Sequence, residues 1–207
     1  MTDDDRTDIA DRGGAGPDIG VQPPDGVDRR RARGTSVWDA VRTKRVVREF
    51  DGRPLAPDDL VRILNAGRRA ASSKNLQRWD FIVCRDRAHL TELARVGPYG
   101  GHVAGAAVAI ALVTPDPNAA DSPLSVMFDL GMAAANMMLV AWELRIGSVP
   151  ATVYEQDLAR QLLGYPPDRH CEYLLSFGYP ADREVFERPN KAGGRHALSD
   201  IVHDETW

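Results

Sequence analysis

The sequence predicts a mixed α/β fold, with helices packed on the faces of a sheet. Two observations carry this. Helical and strand-like apolar patterns alternate along the chain. A continuous apolar run at 106–113 also has strand length and fits a central strand buried on both faces. It precedes the longest helical signal, 127–146, which is apolar nearly all round, as suits a helix running through a core.

The elements follow in order. Ser36 can cap a short helix through Trp38 and Val41, with Asp39 at the third position completing a capping-box-like pair. Residues 45–50 are β-branched and basic, and are predicted to be extended. Pro57 opens a helix in which Leu60, Ile63, Leu64, Gly67 and Ala71 form one stripe. Residues 79–84 read as a strand, and Asp86 caps a helix through Leu90 and Leu93. The long helix contains Asp129, Asn136, Glu143 and Arg145, which make it a poor membrane span. After Gly147, Val149 is predicted to begin a turn. Residues 156–163 form a helix stopped by Gly164, and 173–177 a strand ended by Gly178-Tyr179-Pro180. From Pro189 a polar tail carries the aliphatic anchors Leu198, Ile201 and Val202.

Composition sets the class. The chain has 207 residues, 43% hydrophobic and 27% charged, with a formal charge of −4. That suits one domain plus a tail and excludes wholesale disorder. Residues 1–34 hold eight Asp and six Arg, a net of −2, so the remainder also carries −2. Neither part is basic enough to imply nucleic acid or an anionic membrane as partner. The region 1–35 lacks aromatic residues and is interrupted by Gly and Pro, which predicts a disordered extension. Its Arg29, Arg30, Arg31 and Arg33 read as a solvated linker or as a contact for an anionic partner. No apolar segment of signal-peptide type follows them. Cys84 and Cys171 form no CxxC pair, which excludes a disulfide scaffold and a zinc ribbon and points to a reducing cytoplasmic setting.

Four segments could carry chemistry. In Lys44-Arg45-Val46-Val47-Arg48-Glu49-Phe50, an extended backbone puts Lys44 and Arg48 on one face, where they could flank an anion; a solvated basic strand is the other reading. In Ser72-Ser73-Lys74-Asn75-Leu76-Gln77-Arg78-Trp79, the amides of Asn75 and Gln77 can read the edge of a planar heterocycle, or the polar residues can simply make turns and caps. The small residues of Gly147-Ser148-Val149-Pro150-Ala151-Thr152 allow a backbone to approach a flat ligand. Lys191 and Arg195 flank a Gly pair and could close over a phosphate or form a flexible basic tail.

Together, in this order, the segments resemble the nitroreductase family of FMN-dependent oxidoreductases over roughly residues 36–207. Lys44, Arg45, Arg48 and Phe50 fit the family's basic-basic-Ser-x-basic-x-Phe motif, and Ser72, Ser73, Asn75, Gln77 and Trp79 fit its P-S-S-x-N-x-Q-P-W motif. Gly147 to Ala151 matches the turn after the long helix, and Arg195 to Val202 the C-terminal Arg with its aliphatic segment. The resemblance implies a central, mostly antiparallel sheet flanked by helices. It also implies an intertwined homodimer with FMN at the subunit interface, and makes the long apolar helix a dimer helix. The tail ending at Trp207 could wrap the partner.

The same resemblance implies the site roles. Lys44, Arg45 and Arg195 surround the FMN phosphate, and Arg48 stands near the N1/O2 side of the ring, where a cation stabilises the charge of reduction. Asn75 bonds the pyrimidine part, while Gln77 orients the loop or the ribityl chain. Ser72 and Ser73 belong to the same cofactor loop, and Pro150, Ala151 and Thr152 stand where backbone N–H groups approach N5 and O4. NAD(P)H then donates hydride, and a nitroaromatic, quinone or similar conjugated small molecule receives it in a ping-pong scheme. The flavin does the chemistry, so no acid/base dyad is needed.

Val46 departs from the family's Ser and removes one hydroxyl contact to phosphate; Ala71 and Arg78 replace its two prolines. Arg78 could meet an acidic substrate or point to solvent. The acceptor pocket is expected around 98–102 and 115–124. Cys84 and Cys171 read as packing residues, and the histidines show no metal spacing. Azoline dehydrogenation, dehalogenation and flavin fragmentation occur in families that resemble this one, and a flavin storage protein is the non-catalytic alternative.

Overall fold

The computed structural model describes residues 36–189 and 194–207; the N-terminal extension and Lys191 lie outside the described residues. In chain order the elements are α1 (Val37–Thr43), α2 (Pro57–Arg68), β1 (Asp80–Cys84), α3 (Arg87–Leu93), β2 (Val108–Pro115), α4 (Ser125–Glu143), β3 (Gly147–Thr152), α5 (Gln156–Leu163) and β4 (Arg169–Gly178). Short 3₁₀ turns occur at Ser73–Asn75, Gly100–Val103, Arg183–Phe186 and Leu198–Asp200. The four strands form one sheet in the order β1-β2-β4-β3, with every pair antiparallel.

The run at 106–113 supplies most of the central strand β2, as its composition suggested. Successive side chains alternate faces. Val108, Ile110 and Leu112 pack with Leu60 and Ile63 of α2 and with Leu130, Ala133 and Met137 of α4. Ala109, Ala111 and Val113 pack on the other face with Leu90, Leu93 and Ala159, from α3 and α5. Helices therefore cover both faces of the sheet. Fully burying one side chain such as Ile63 contributes about 1.5–3 kcal/mol.

Local signals set most element ends. Ser36 Oγ accepts from the Asp39 N–H at 3.0 Å, and Asp86 accepts from the His89 N–H at 2.8 Å. Gly164 closes α5 in the left-handed region, at φ 70°. The structure departs from the pattern elsewhere. Helix α2 ends at Arg68, before Ala71. Helix α4 ends at Glu143, where Ile146 N–H bonds Ala141 C=O at 2.8 Å and Arg145 takes φ 61°. That closure usually takes glycine.

Strand β4 is longer than the apolar run 173–177. Leu112 faces Tyr173 but Val113 faces Cys171, so Glu172 is the extra residue of a bulge. The bulge lets Cys171 join Leu174 in the α3/α5 layer, while Tyr173 and Leu175 face α4. Burial pushes the Cys84 thiol up to about 11 and the Cys171 thiol up to about 12, as expected of packing residues.

One expectation fails. Residues 147–152 are a full strand, not a turn beginning at Val149. The aliphatic residues Leu198, Ile201 and Val202 of the tail are exposed within the single chain.

Candidate functional site

The site is built on the outer edge of β3. Val153 N–H bonds Glu172 of β4 at 2.9 Å, whereas the Ser148 carbonyl turns outward and accepts from Val47 N–H at 3.1 Å. These directions alternate along an antiparallel strand. Gly147, Val149 and Ala151 therefore address β4, and Ser148, Pro150 and Thr152 address the outer edge. Pro150 falls where its missing N–H removes no ladder bond, which is how a proline can sit in this strand. Of the three positions expected to present amides, Pro150 has none, Ala151 turns its own to β4, and Thr152 faces outward.

Residues 45–50 are extended, as expected, but form isolated bridges rather than a strand. Val46 pairs with Ser148 in parallel and Phe50 with Pro180 antiparallel. Asp51 N–H to Tyr179 C=O at 2.9 Å, and Ala181 N–H to Glu49 C=O at 3.0 Å, close the far end. Gly147 and Gly178 permit this docking. A Cβ on Gly147 would lie 2.6 Å from Val47 Cβ, and one on Gly178 would lie 2.7 Å from Phe50 Cδ1. The smallness of Gly147 is thus used by Val47 itself.

This stitching sets Val46 beside Ser148, with Lys44 two residues before it, and Arg48 reaches the Pro150 end of the edge, where both act on His102. Lys44 is half-buried, has no carboxylate partner among the described residues, and burial holds its ammonium below the usual lysine range. Arg48 is exposed and makes no hydrogen bond or ion pair among the described residues. Arg45 is occupied differently: its guanidinium donates to the carbonyls of Arg188 and of Pro189, the latter at 2.7 Å.

His102 joins this edge, although its sequence context showed only a Gly-Gly turn inside the expected acceptor-pocket region. Its Nδ1 lies 3.0 Å from Ser176 Oγ. The loop carrying it is tied to the end of β3, where Tyr154 and Glu155 N–H groups bond Val96 C=O at 2.7 and 2.9 Å. Burial first, and the Arg48 guanidinium second, hold its imidazole below the usual histidine value of 6.5, against an opposing pull from the Pro150 carbonyl. His102, Arg48 and Pro150 therefore meet at one place.

The loop 72–79 is held by its own bonds and by α4. Ser72 Oγ accepts from Gln77 N–H at 3.0 Å, and buried Asp129 accepts from Ser73 N–H at 3.0 Å. Gln77 Nε2 donates to Asn75 Oδ1 at 3.3 Å. Lys74, Asn75 and Gln77 adopt φ of 52°, 56° and 47°. Left-handed backbone costs about 1 kcal/mol at each such residue, so this shape persists only because its surroundings impose it. The exposed amides of Asn75 and Gln77 are the result.

The loop is not brought to the β3 edge within one chain. It feeds β1, and β1 and β3 are opposite edges of the sheet. Arg195 is likewise exposed, bonding only its neighbour Gly194 C=O at 3.4 Å among the described residues. No cluster of three His, Cys, Asp or Glu that could hold a metal occurs among the described residues.

The architecture has counterparts. The Nitroreductase family model matches residues 41–99 and 94–179. A relative from Archaeoglobus fulgidus, named "Putative NADH dehydrogenase/NAD(P)H nitroreductase", is 32% identical over 170 residues, covering 80% of this chain and 95% of that protein. A solved structure of a protein with the same name from Bacteroides thetaiotaomicron superposes with a TM-score of 0.72 at 24% identity, covering 84% of this chain and 99% of that one. An FMN-dependent nitroreductase from Clostridium difficile R20291 gives a TM-score of 0.68 at 24% identity, with 81% and 98% covered. Those two structures share the fold. The family match spans both the cationic segment and β3, and with the Archaeoglobus relative it establishes that the chain belongs to the nitroreductase family and is an oxidoreductase.

Proposed function

We propose that the chain is an FMN-dependent oxidoreductase that takes hydride from NAD(P)H and delivers reducing equivalents to a nitroaromatic, quinone or similar conjugated acceptor in a ping-pong sequence. It works as a homodimer with the flavin at the subunit interface. The observation that carries this reading is Lys44. A half-buried ammonium without a carboxylate is unfavourable alone, and an anionic group beside it removes that cost. Together with uncompensated Arg48 and the outward Thr152 N–H, it makes an edge that fits a phosphorylated, electron-accepting ring.

FMN, when bound, supplies the two-electron chemistry. The chain's own residues bind and orient. Lys44 and Arg195 address the phosphate; Arg195 lies six residues beyond Pro189, a reach of at most about 20 Å. Arg45 holds the start of that C-terminal segment through the Arg188 and Pro189 carbonyls. Val46 offers the phosphate no hydroxyl; its side chain is exposed and its backbone pairs with Ser148. Arg48 places positive charge where reduction makes the ring negative, and Thr152 N–H donates at its other side. Ser72 and Ser73 shape the loop from which Asn75 meets the pyrimidine edge, with Gln77 orienting it.

Two features support a dimer. The loop and the β3 edge are separated by two strands, about 14 Å at the usual spacing, so one ring system meets both only if a second copy supplies one of them. Apolar surface on α4 and the tail is also uncovered: Phe128 is 70% exposed, and Leu198, Ile201, Val202 and Trp207 are exposed too.

Purified protein tests the reading. It should bind FMN, bleach anaerobically with NADH or NADPH, and elute as a dimer. Arg48→Ala should slow bleaching more than it lowers thermal stability. Failure to retain added FMN sinks the site assignment, and retention without bleaching leaves a storage protein.

A further inference from the structure

Where the chain leaves β4 for its C-terminal segment, a cleft of about 340 Å³ opens between Arg53, Arg145, Tyr179, Pro180, Arg183 and Phe186. None of these residues belongs to the β3 edge or to the loop 72–79. Half of the lining is guanidinium. Arg53 lies over the Tyr179 ring at 4.3 Å and Arg145 over the Phe186 ring at 4.4 Å. Such stacking holds a flexible side chain flat and in place.

The cleft has donors in excess. Arg53 Nε bonds Asp51 at 2.7 Å and Arg145 Nη2 bonds Glu187, but neither carboxylate lines the cleft. Arg183 makes no hydrogen bond among the described residues; the Asp51 carboxyl is held low, against the opposing effect of burial, mainly by its Arg53 bonds and least by the Arg183 charge. Each guanidinium has five donors, so two carboxylates leave most of them unmatched. Backbone conformation points to the same place. Arg145 occupies the left-handed position after α4, where glycine fits without strain, at a cost of about 1 kcal/mol. The side chain set there by that turn is the one stacked on Phe186.

We propose that this cleft binds a flat ring bearing an oxyanion, the shared chemistry of a nucleoside monophosphate and an aromatic carboxylate. The oxyanion takes the guanidinium edges, which match phosphate or carboxylate in bidentate fashion. The ring lies against the stacked guanidinium planes and the Pro180 and Phe186 surfaces.

The test uses the full chain saturated with FMN, so that the flavin site does not compete. Calorimetry measures AMP, benzoate, adenosine and inorganic phosphate, in wild type and in Arg183→Gln and Arg145→Gly. Arg145→Gly keeps the left-handed turn, which guards against misfolding. Expected are binding of AMP or benzoate, at least tenfold weaker binding of adenosine and of inorganic phosphate, and at least tenfold loss in each variant. AMP alone binding identifies a nucleotide site, and benzoate alone an aromatic-acid site. Both variants should retain FMN and bleach with NAD(P)H as wild type does, so failure here is distinct from failure of the flavin reading. Absence of AMP and benzoate binding, binding indifferent to both variants, or phosphate binding as tightly as AMP would overturn the proposal.

Discussion

Replacing Gly147 with alanine tests how the cationic segment is placed. The new Cβ would stand 2.6, 2.7 and 2.8 Å from Val47 Cβ, Cγ1 and Cγ2. Carbon atoms pack at about 3.5–4.0 Å, so the two backbones must part by about 1 Å. Val47 has little room to yield, being branched at Cβ and only 6% exposed. Overpacking of this kind costs about 1–3 kcal/mol, and a chain of this size loses about 2–4 °C per kcal/mol. Lys44 and Arg48 ride on the displaced segment, so FMN retention should fall about tenfold, the equivalent of about 1.4 kcal/mol. Thermal denaturation of the apoprotein reads the first effect, and FMN titration the second. Adding Val47→Gly removes all three close contacts, so the double variant should be less destabilised than the sum of the singles. Strict additivity, or a Gly147→Ala protein with unchanged melting and FMN affinity, would refute the idea that this contact positions the cations.

Other outcomes follow from the same structure. Asp129→Ala should cost about 1–3 kcal/mol by leaving Ser73 N–H unpaired, and amide exchange should rise within 73–77; unchanged exchange would show that the loop holds itself. The lowered His102 value makes stability decline as pH is lowered through a defined window. The unfolded chain takes up this proton near 6.5 and the folded chain only at lower pH, so the contribution is complete above about 6.5 and is lost as pH drops toward the folded value. His102→Gln should flatten that part of the stability profile relative to wild type, and an identical profile would contradict it. Cys84 and Cys171, buried and pushed up to about 11 and about 12, should resist iodoacetamide in the native protein at neutral pH, as read by intact mass.

Much of the fold was legible because it rests on local periodicity. The continuous apolar run at 106–113 has strand length and fits a strand covered on both faces, and β2 is one. Ser36, Asp86 and Gly164 marked helix ends because capping is a matter of a few adjacent residues. Strand β3 was missed for the opposite reason. Gly147 and Pro150 are poor strand formers, and they are tolerated only because Val47 packs on the first and the second faces away from β4. The extent of β4 was hidden by polar Arg169, His170 and Glu172, which a bulge accommodates.

By itself, the sequence determined which segments carry charge, amides and small residues, and that order was enough to suggest the family. The tertiary structure decided what those segments can do together. The Val46–Ser148 bridge docks the segment that carries Lys44 and Arg48 on β3, strand direction leaves Thr152 rather than Ala151 as the outward amide, and His102 arrives from a loop with no motif. It also separated the loop 72–79 from that edge by the width of the sheet. Periodicity reports which way a residue faces within its own element. Partners across a sheet are chosen by pairing between residues far apart in the chain, and that information is absent from any local pattern.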